Sequence, residues 1–143
     1  VSDEEIEKST EWGVAVGLAF QIQDDWLNLA GDEAKYGKEI GGDILEGKRT
    51  LMLIHLLNSL EASEKSKVIG VMKKPRAQKT QADVDYILGL MREKGSLDFA
   101  KEKSKELAEK AKNIFEKNSG AMKECPEKDA IRSLIDYVIN REA

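Results

Sequence analysis

The chain has 143 residues, with 23 Lys and Arg against 27 Asp and Glu, a formal net charge of −4, 6% aromatic residues and two prolines. That length suits one domain, and the scarcity of aromatics and prolines beside 35% charged residues favours helices over a sheet sandwich. The negative balance excludes a general nucleic-acid binder, and neither a leader peptide nor a bilayer-spanning run is expected. The single cysteine, Cys125, forms no internal disulfide, reads as a helix-flanking residue and fits a reducing cytoplasm.

Ser2 followed by Glu5 reads as a capping box, and Asp3, Glu4 and Glu5 complement the positive end of a helix dipole. A helix is therefore predicted from about Asp3 to Leu29, polar at first and then apolar or small on every side from Trp12 to Phe20. Such a segment is expected to be buried. It runs directly into Asp24 and Asp25, whose charges need cations or a water-filled cavity. Gly17, Gln21, Asp24 and Asn28 follow at steps of four, three and four, so they share one helical face. Two carboxylates and an amide oxygen within about one turn suit a hard, oxygen-preferring ion such as Mg²⁺. An ordinary surface acid pair is the plainer alternative, but attachment to a buried helix argues for a site.

From Gly37 to Thr50 follows a glycine-punctuated loop carrying Lys38 and Lys48. Glycines let backbone approach a ligand closely, and lysines supply point charges for phosphate oxygens. Carboxylates able to hold Mg²⁺, followed by lysines able to hold phosphate, point to a magnesium diphosphate site. The glycine spacing is not that of a P-loop.

Beyond the loop, Thr50–Leu57 is a dense apolar run whose periodicity alone allows strand or helix. His55, the only histidine, has no acid or cysteine at a useful spacing and reads as core-flanking. A short helix over Ser63–Lys74, with Val68, Val71 and Met72 inward, is stopped by Pro75, and Arg76–Lys79 reads as a solvated basic linker. Thr80 with Asp83 opens a helix that ends at Gly95, with Val84, Ile87, Leu88 and Met91 inward. Ser96 is expected to cap the next helix, to about Asn118, whose Lys and Glu form a solvated face of local ion pairs. Pro126 opens the last helix, with Ile131, Leu134, Ile135, Val138 and Ile139 inward.

The stretch Gly17–Thr50, GLAFQIQDDWLN followed by GKEIGGDILEGKRT, resembles the second aspartate-rich region of the trans-isoprenyl diphosphate synthases, FQxxDDxxD and then GKxxGxDIxxGKxT. The resemblance implies an all-α helical bundle, the C-terminal half of an isoprenoid-synthase fold, and favours a helix from Thr50 to about Leu60. It implies a short- to medium-chain prenyltransferase joining an allylic diphosphate to isopentenyl diphosphate with Mg²⁺. Asp24 then matches a direct metal ligand, Asp25 and Asn28 orient it and its waters, and Lys38 and Lys48 neutralise diphosphate charge. Gln21 and Asp43 match positions near the same diphosphate, and Phe20 matches apolar cavity wall. Asn28 departs from the pattern's third aspartate and lowers the charge of the metal site. Nothing in the chain matches the family's first aspartate-rich motif, so residues 1–143 alone are expected to be inactive and to associate, as a homo-oligomer, through the faces of Val14, Leu18 and Ile22. A terpene cyclase of the same fold and a non-catalytic helical subunit remain the alternatives.

Overall fold

A computed structural model describes residues 2–31, 39–119 and 125–140, with backbone only for 139 and 140. All regular structure among the described residues is helical: α1 Asp3–Ala30, α2 Gly42–Glu46, α3 Leu51–Ser59, α4 Ala62–Lys73, a 3-10 turn Arg76–Gln78, α5 Gln81–Glu93, α6 Ser96–Ser119 and α7 Pro126–Asn140. The expected all-α class is met. The run after Thr50 is a helix, and the glycine loop contains a helix of its own, α2. No described helix is long and apolar enough to cross a membrane. Contacts group the described residues into two compact units, one of residues 2–23 with 102–140, the other of residues 24–101.

In the first unit, α1 begins with the predicted capping box: the Ser2 backbone N–H donates to Glu5 Oε2 at 2.7 Å and the Glu5 N–H to Ser2 Oγ at 3.3 Å. Ala15, Val16 and Ala19 then pack with Ala108, Ala111, Phe115, Ile135 and Val138. Alanines on both α1 and α6 allow close approach, close enough for the buried Ser104 hydroxyl to donate to Ala19 O at 2.8 Å. Trp12 meets Phe115 edge-on, with ring centroids 5.4 Å apart. The ion pairs here are not only local to α6: Arg132 pairs with Glu116 and Lys112 with Asp136, joining α6 to α7.

Two expectations for this unit are corrected. The apolar run of α1 is not buried all round, because Val14 is 56% and Leu18 50% exposed while Ala15 and Ala19 are buried. Ala15, Val16 and Ala19 face the core, with Trp12 packed against it, and Val14 and Leu18 point away from it. In α7, Ile135 and Val138 face inward, but Leu134, one position from Ile135, is half-exposed. Ile139 lies outside the described side chains.

The second unit has its own core of Leu27, Ile44, Met52, Leu56, Val68, Val84, Ile87 and Met91. Helix α5 packs against α2 and α3. The Thr50 hydroxyl accepts from Leu53 N–H and caps α3, and Thr80 with Asp83 forms a complete capping box for α5. Val68 is buried in α4, and Val71 and Met72 are half-buried. His55 is half-buried as expected, stacked on Phe99 with its Nδ1 3.0 Å from Ser96 Oγ. Ser96 is accordingly the first residue of α6, and its buried hydroxyl meets His55.

Candidate functional site

The end of α1, the α2 segment and the 3-10 turn enclose a cleft of about 320 Å³ lined by Asp24, Asn28, Glu39, Gly42, Asp43, Glu46, Lys48 and Arg76. All of these residues belong to the second unit. The loop is drawn onto α1 by Asn28, which is 8% exposed. Its carbonyl oxygen Oδ1 accepts from Asp43 N–H at 2.9 Å, its Nδ2 donates to Glu39 O at 3.4 Å, and its backbone carbonyl accepts from Gly41 N–H at 2.8 Å. Gly41 stands at the N-cap of α2, has no side chain to cap it, and adopts φ 82°. Asn28 supplies the missing cap from α1. A Cβ at Gly41 would also stand 2.5 Å from Val84 Cγ1, so this turn requires glycine twice over.

Lys48 connects the two parts of the motif. Its Nζ donates to Asp25 Oδ1 at 2.7 Å and to Asp43 Oδ2 at 3.3 Å. Asp25 is the closer and more buried partner, and its hydrogen bond is the main cause holding the Lys48 ammonium above its ordinary pKa. Burial pushes the Asp43 carboxyl up despite the opposing pull of Lys48. At the other side of the cleft, Arg76 Nη2 donates to Glu39 Oε2 at 2.8 Å, and Nη1 lies 3.7 Å from Glu46 Oε1.

Of the residues singled out in the sequence, Asp24, Asn28, Asp43 and Lys48 come together in the lining, and Asp25 joins them through Lys48. Phe20 and Gln21 are exposed, belong to the first unit and are not among the lining residues. Lys38 lies outside the described residues. Sequence reasoning missed Glu39, Glu46 and Arg76, and the basic stretch it placed in solvent needs correction. Arg76 lines the cleft, and Lys79 is 9% exposed, with its Nζ donating to Leu45 O at 2.8 Å. No local sign of Arg76's role stands in the sequence, because its partner Glu39 is 37 residues away.

A helical cleft lined by carboxylates, a lysine and an arginine is the architecture of an ionic, oxygen-ligand site. The polyprenyl synthetase family profile matches residues 1–91, and the chain belongs to that family. It is 32% identical over 141 residues to the geranylgeranyl diphosphate synthase of Methanosarcina mazei, covering 99% of this chain and 40% of that protein. Among solved structures, geranylgeranyl pyrophosphate synthetase from Pyrococcus horikoshii superposes with a TM-score of 0.79 at 31% identity, over 99% of this chain and 41% of that one. A polyprenyl synthase from Caulobacter crescentus, complexed with calcium and isoprenyl diphosphate, gives 0.74 at 30% identity, over 100% and 42%. The chain thus spans about two fifths of the relatives it matches.

Proposed function

We propose that this chain carries one side of the magnesium diphosphate site of a prenyltransferase, which joins an allylic diphosphate to isopentenyl diphosphate in isoprenoid biosynthesis. The observation that carries the reading is Lys48 held between Asp25 and Asp43 at the cleft that Asp24 lines. The neighbours' names and the Caulobacter complex support the substrate class. The donor set suits Mg²⁺. Among the described residues no three of His, Cys, Asp or Glu converge on a metal unaided, whereas Mg²⁺ is usually held by one or two carboxylates, retained waters and substrate phosphates. Asp24 is the ligand proposed to bind it directly, with Asp25 and Asn28 behind it. When bound, the ion neutralises the diphosphate and makes it a leaving group.

The chain's own residues do the rest. Lys48, with Lys38, neutralises charge as it develops on the departing diphosphate. Asp43 orients the same group. Because the chain matches only the second of the family's two aspartate-rich motifs, residues 1–143 alone bind magnesium diphosphate weakly and transfer no prenyl group. The exposed apolar side of α1 drives self-association of the isolated chain, and the unpaired Cys125 suits a cytoplasmic setting. Calorimetry with Mg²⁺ and inorganic diphosphate on this chain and on Asp24→Ala tests the assignment. Binding that survives the substitution unchanged puts the ligand elsewhere, and product formation by the purified chain overturns the one-sided account.

A further inference from the structure

Lys79 is a buried ammonium with a single compensating contact. It is 9% exposed, its Nζ donates to Leu45 O at 2.8 Å, and it forms no ion pair among the described residues. Burial lowers its pKa against the attraction of Asp83. Burying a lysine this way is costly, so the place of its one contact matters.

That place is the C-terminal end of α2. The Gly47 N–H donates to Ile44 O at 3.1 Å and the Lys48 N–H to Asp43 O at 2.9 Å, the paired bonds of a glycine-terminated helix end, with Gly47 at φ 76°. Leu45 O lies in the same terminal turn, where helix carbonyls lack intrahelical donors, and Lys79 fills that need. A Cβ at Gly47 would stand 3.2 Å from Lys79 Nζ and 3.0 Å from Met72 O, in the last turn of α4. The ammonium therefore lies beside the carbonyl ends of two helices, where a cation is favoured. The residue whose backbone completes this helix end is Lys48, whose ammonium bridges Asp25 and Asp43.

We infer that Lys79 is a positioning residue for Lys48: by satisfying Leu45 O it fixes the turn that aims Lys48 at Asp25 and Asp43. The inference rests on the reading of Lys48 as a diphosphate-binding cation. Lys79 touches neither aspartate, and its effect on ligand binding passes through the Gly47–Lys48 turn.

The test measures backbone amide exchange together with calorimetric binding of Mg²⁺ and inorganic diphosphate, on the full 143-residue chain. In Lys79→Met, the Lys48 amide is expected to exchange about tenfold faster while the Leu56 and Ile87 amides keep their protection. Diphosphate affinity falls by about tenfold, and Lys48→Ala/Lys79→Met binds no more weakly than Lys48→Ala. Lys79→Arg, which keeps a charged donor, restores both readouts to within about threefold. Lys79→Gln, with a neutral donor, shows the same losses in smaller measure and serves if the methionine variant does not fold. An unchanged Lys48 amide, deprotection spread equally to Leu56 and Ile87, or additive losses in the double variant overturns the inference. A parent chain that takes up no magnesium diphosphate refutes the proposed function instead, and amide exchange still decides the positioning.

Discussion

Asn28 stands where the family pattern has an acid, and the structure gives its amide a definite task, so its replacement has a calculable cost. Asn28→Ala leaves the Asp43 N–H without its 2.9 Å acceptor at the start of α2 and removes the 3.4 Å contact to Glu39 O. A buried donor left unsatisfied costs about 1–3 kcal/mol, and loss of a helix N-cap costs about 1 kcal/mol. These describe the same bond, and the longer contact adds little. The expected loss is therefore about 2 kcal/mol, or roughly 4–8 °C in melting temperature for a chain of this size. Asn28→Asp separates the two ends of the amide. It keeps an acceptor for Asp43 N–H but sets a carboxylate oxygen against Glu39 O, close to Asp25 and Asp43. In chelator that variant is expected to lose about 1–2 kcal/mol, and saturating Mg²⁺ returns much of it through preferential binding to the folded state. Urea and thermal melts of all three proteins, with chelator and with Mg²⁺, measure this. An alanine variant within about 0.5 kcal/mol of the parent would show that Asn28 does not cap α2 in solution.

Lys48→Ala should weaken magnesium diphosphate binding, and in a catalytically complete protein it should cost about 2–4 kcal/mol of transition-state stabilisation; unchanged binding and kinetics would remove it from the diphosphate site. Val14→Ser/Leu18→Ser, at positions 56% and 50% exposed, should shift the isolated chain from oligomer to monomer in light scattering, whereas a parent already monomeric at high concentration would refute association through that face. The hydrogen bond from Lys74 holds the Asp83 carboxyl below its ordinary pKa. The stability it contributes is thus complete above the ordinary carboxylate range and lost as pH falls through the depressed value. Asp83→Asn should be the less stable protein at neutral pH and converge with the parent in acid; a gap in urea midpoint that persists in acid would contradict the assignment.

The parts of the fold legible in the sequence are those written in neighbouring residues. Ser2 with Glu5 and Thr80 with Asp83 are capping boxes because donor and acceptor are three positions apart, and the structure forms both. Pro75 and Pro126 mark helix boundaries through backbone constraints that need no partner. What was not legible depends on partners far along the chain. Lys79 read as solvated because it closes a short basic stretch after Pro75, yet its partner, Leu45 O, is 34 residues away. The apolar run of α1 has no polar side to reveal its orientation, so only packing separates Ala15 and Ala19 from Val14 and Leu18. In the candidate site, helical spacing grouped Asp24 with Asn28, and both line the cleft. It could not show that Asn28 would cap α2, because that task arises from Gly41, which has no side chain to do it.

The charges around the cleft explain why metal and diphosphate should depend on each other. Asp24, Glu39, Asp43 and Glu46 line it against two cations, Lys48 and Arg76. Neither cation is idle: Lys48 is held by Asp25 and Asp43, and Arg76 by Glu39 and Glu46. A diphosphate arriving without a metal must therefore compete with carboxylates for each positive group while being repelled by them. A divalent ion bound there would reverse both effects, because it would draw on the carboxylates and so loosen their hold on the lysine and arginine. Mg²⁺ by itself gives up its waters reluctantly and gains much from phosphate oxygens. Each ligand should then raise the affinity of the other, and by the same factor, since coupling between two bound ligands is reciprocal. Titrating diphosphate with and without Mg²⁺, and Mg²⁺ with and without diphosphate, gives that factor twice. Diphosphate binding that is indifferent to chelator would mean that the cations are available without the metal, and the ion pairs seen across the cleft would have no part in controlling it.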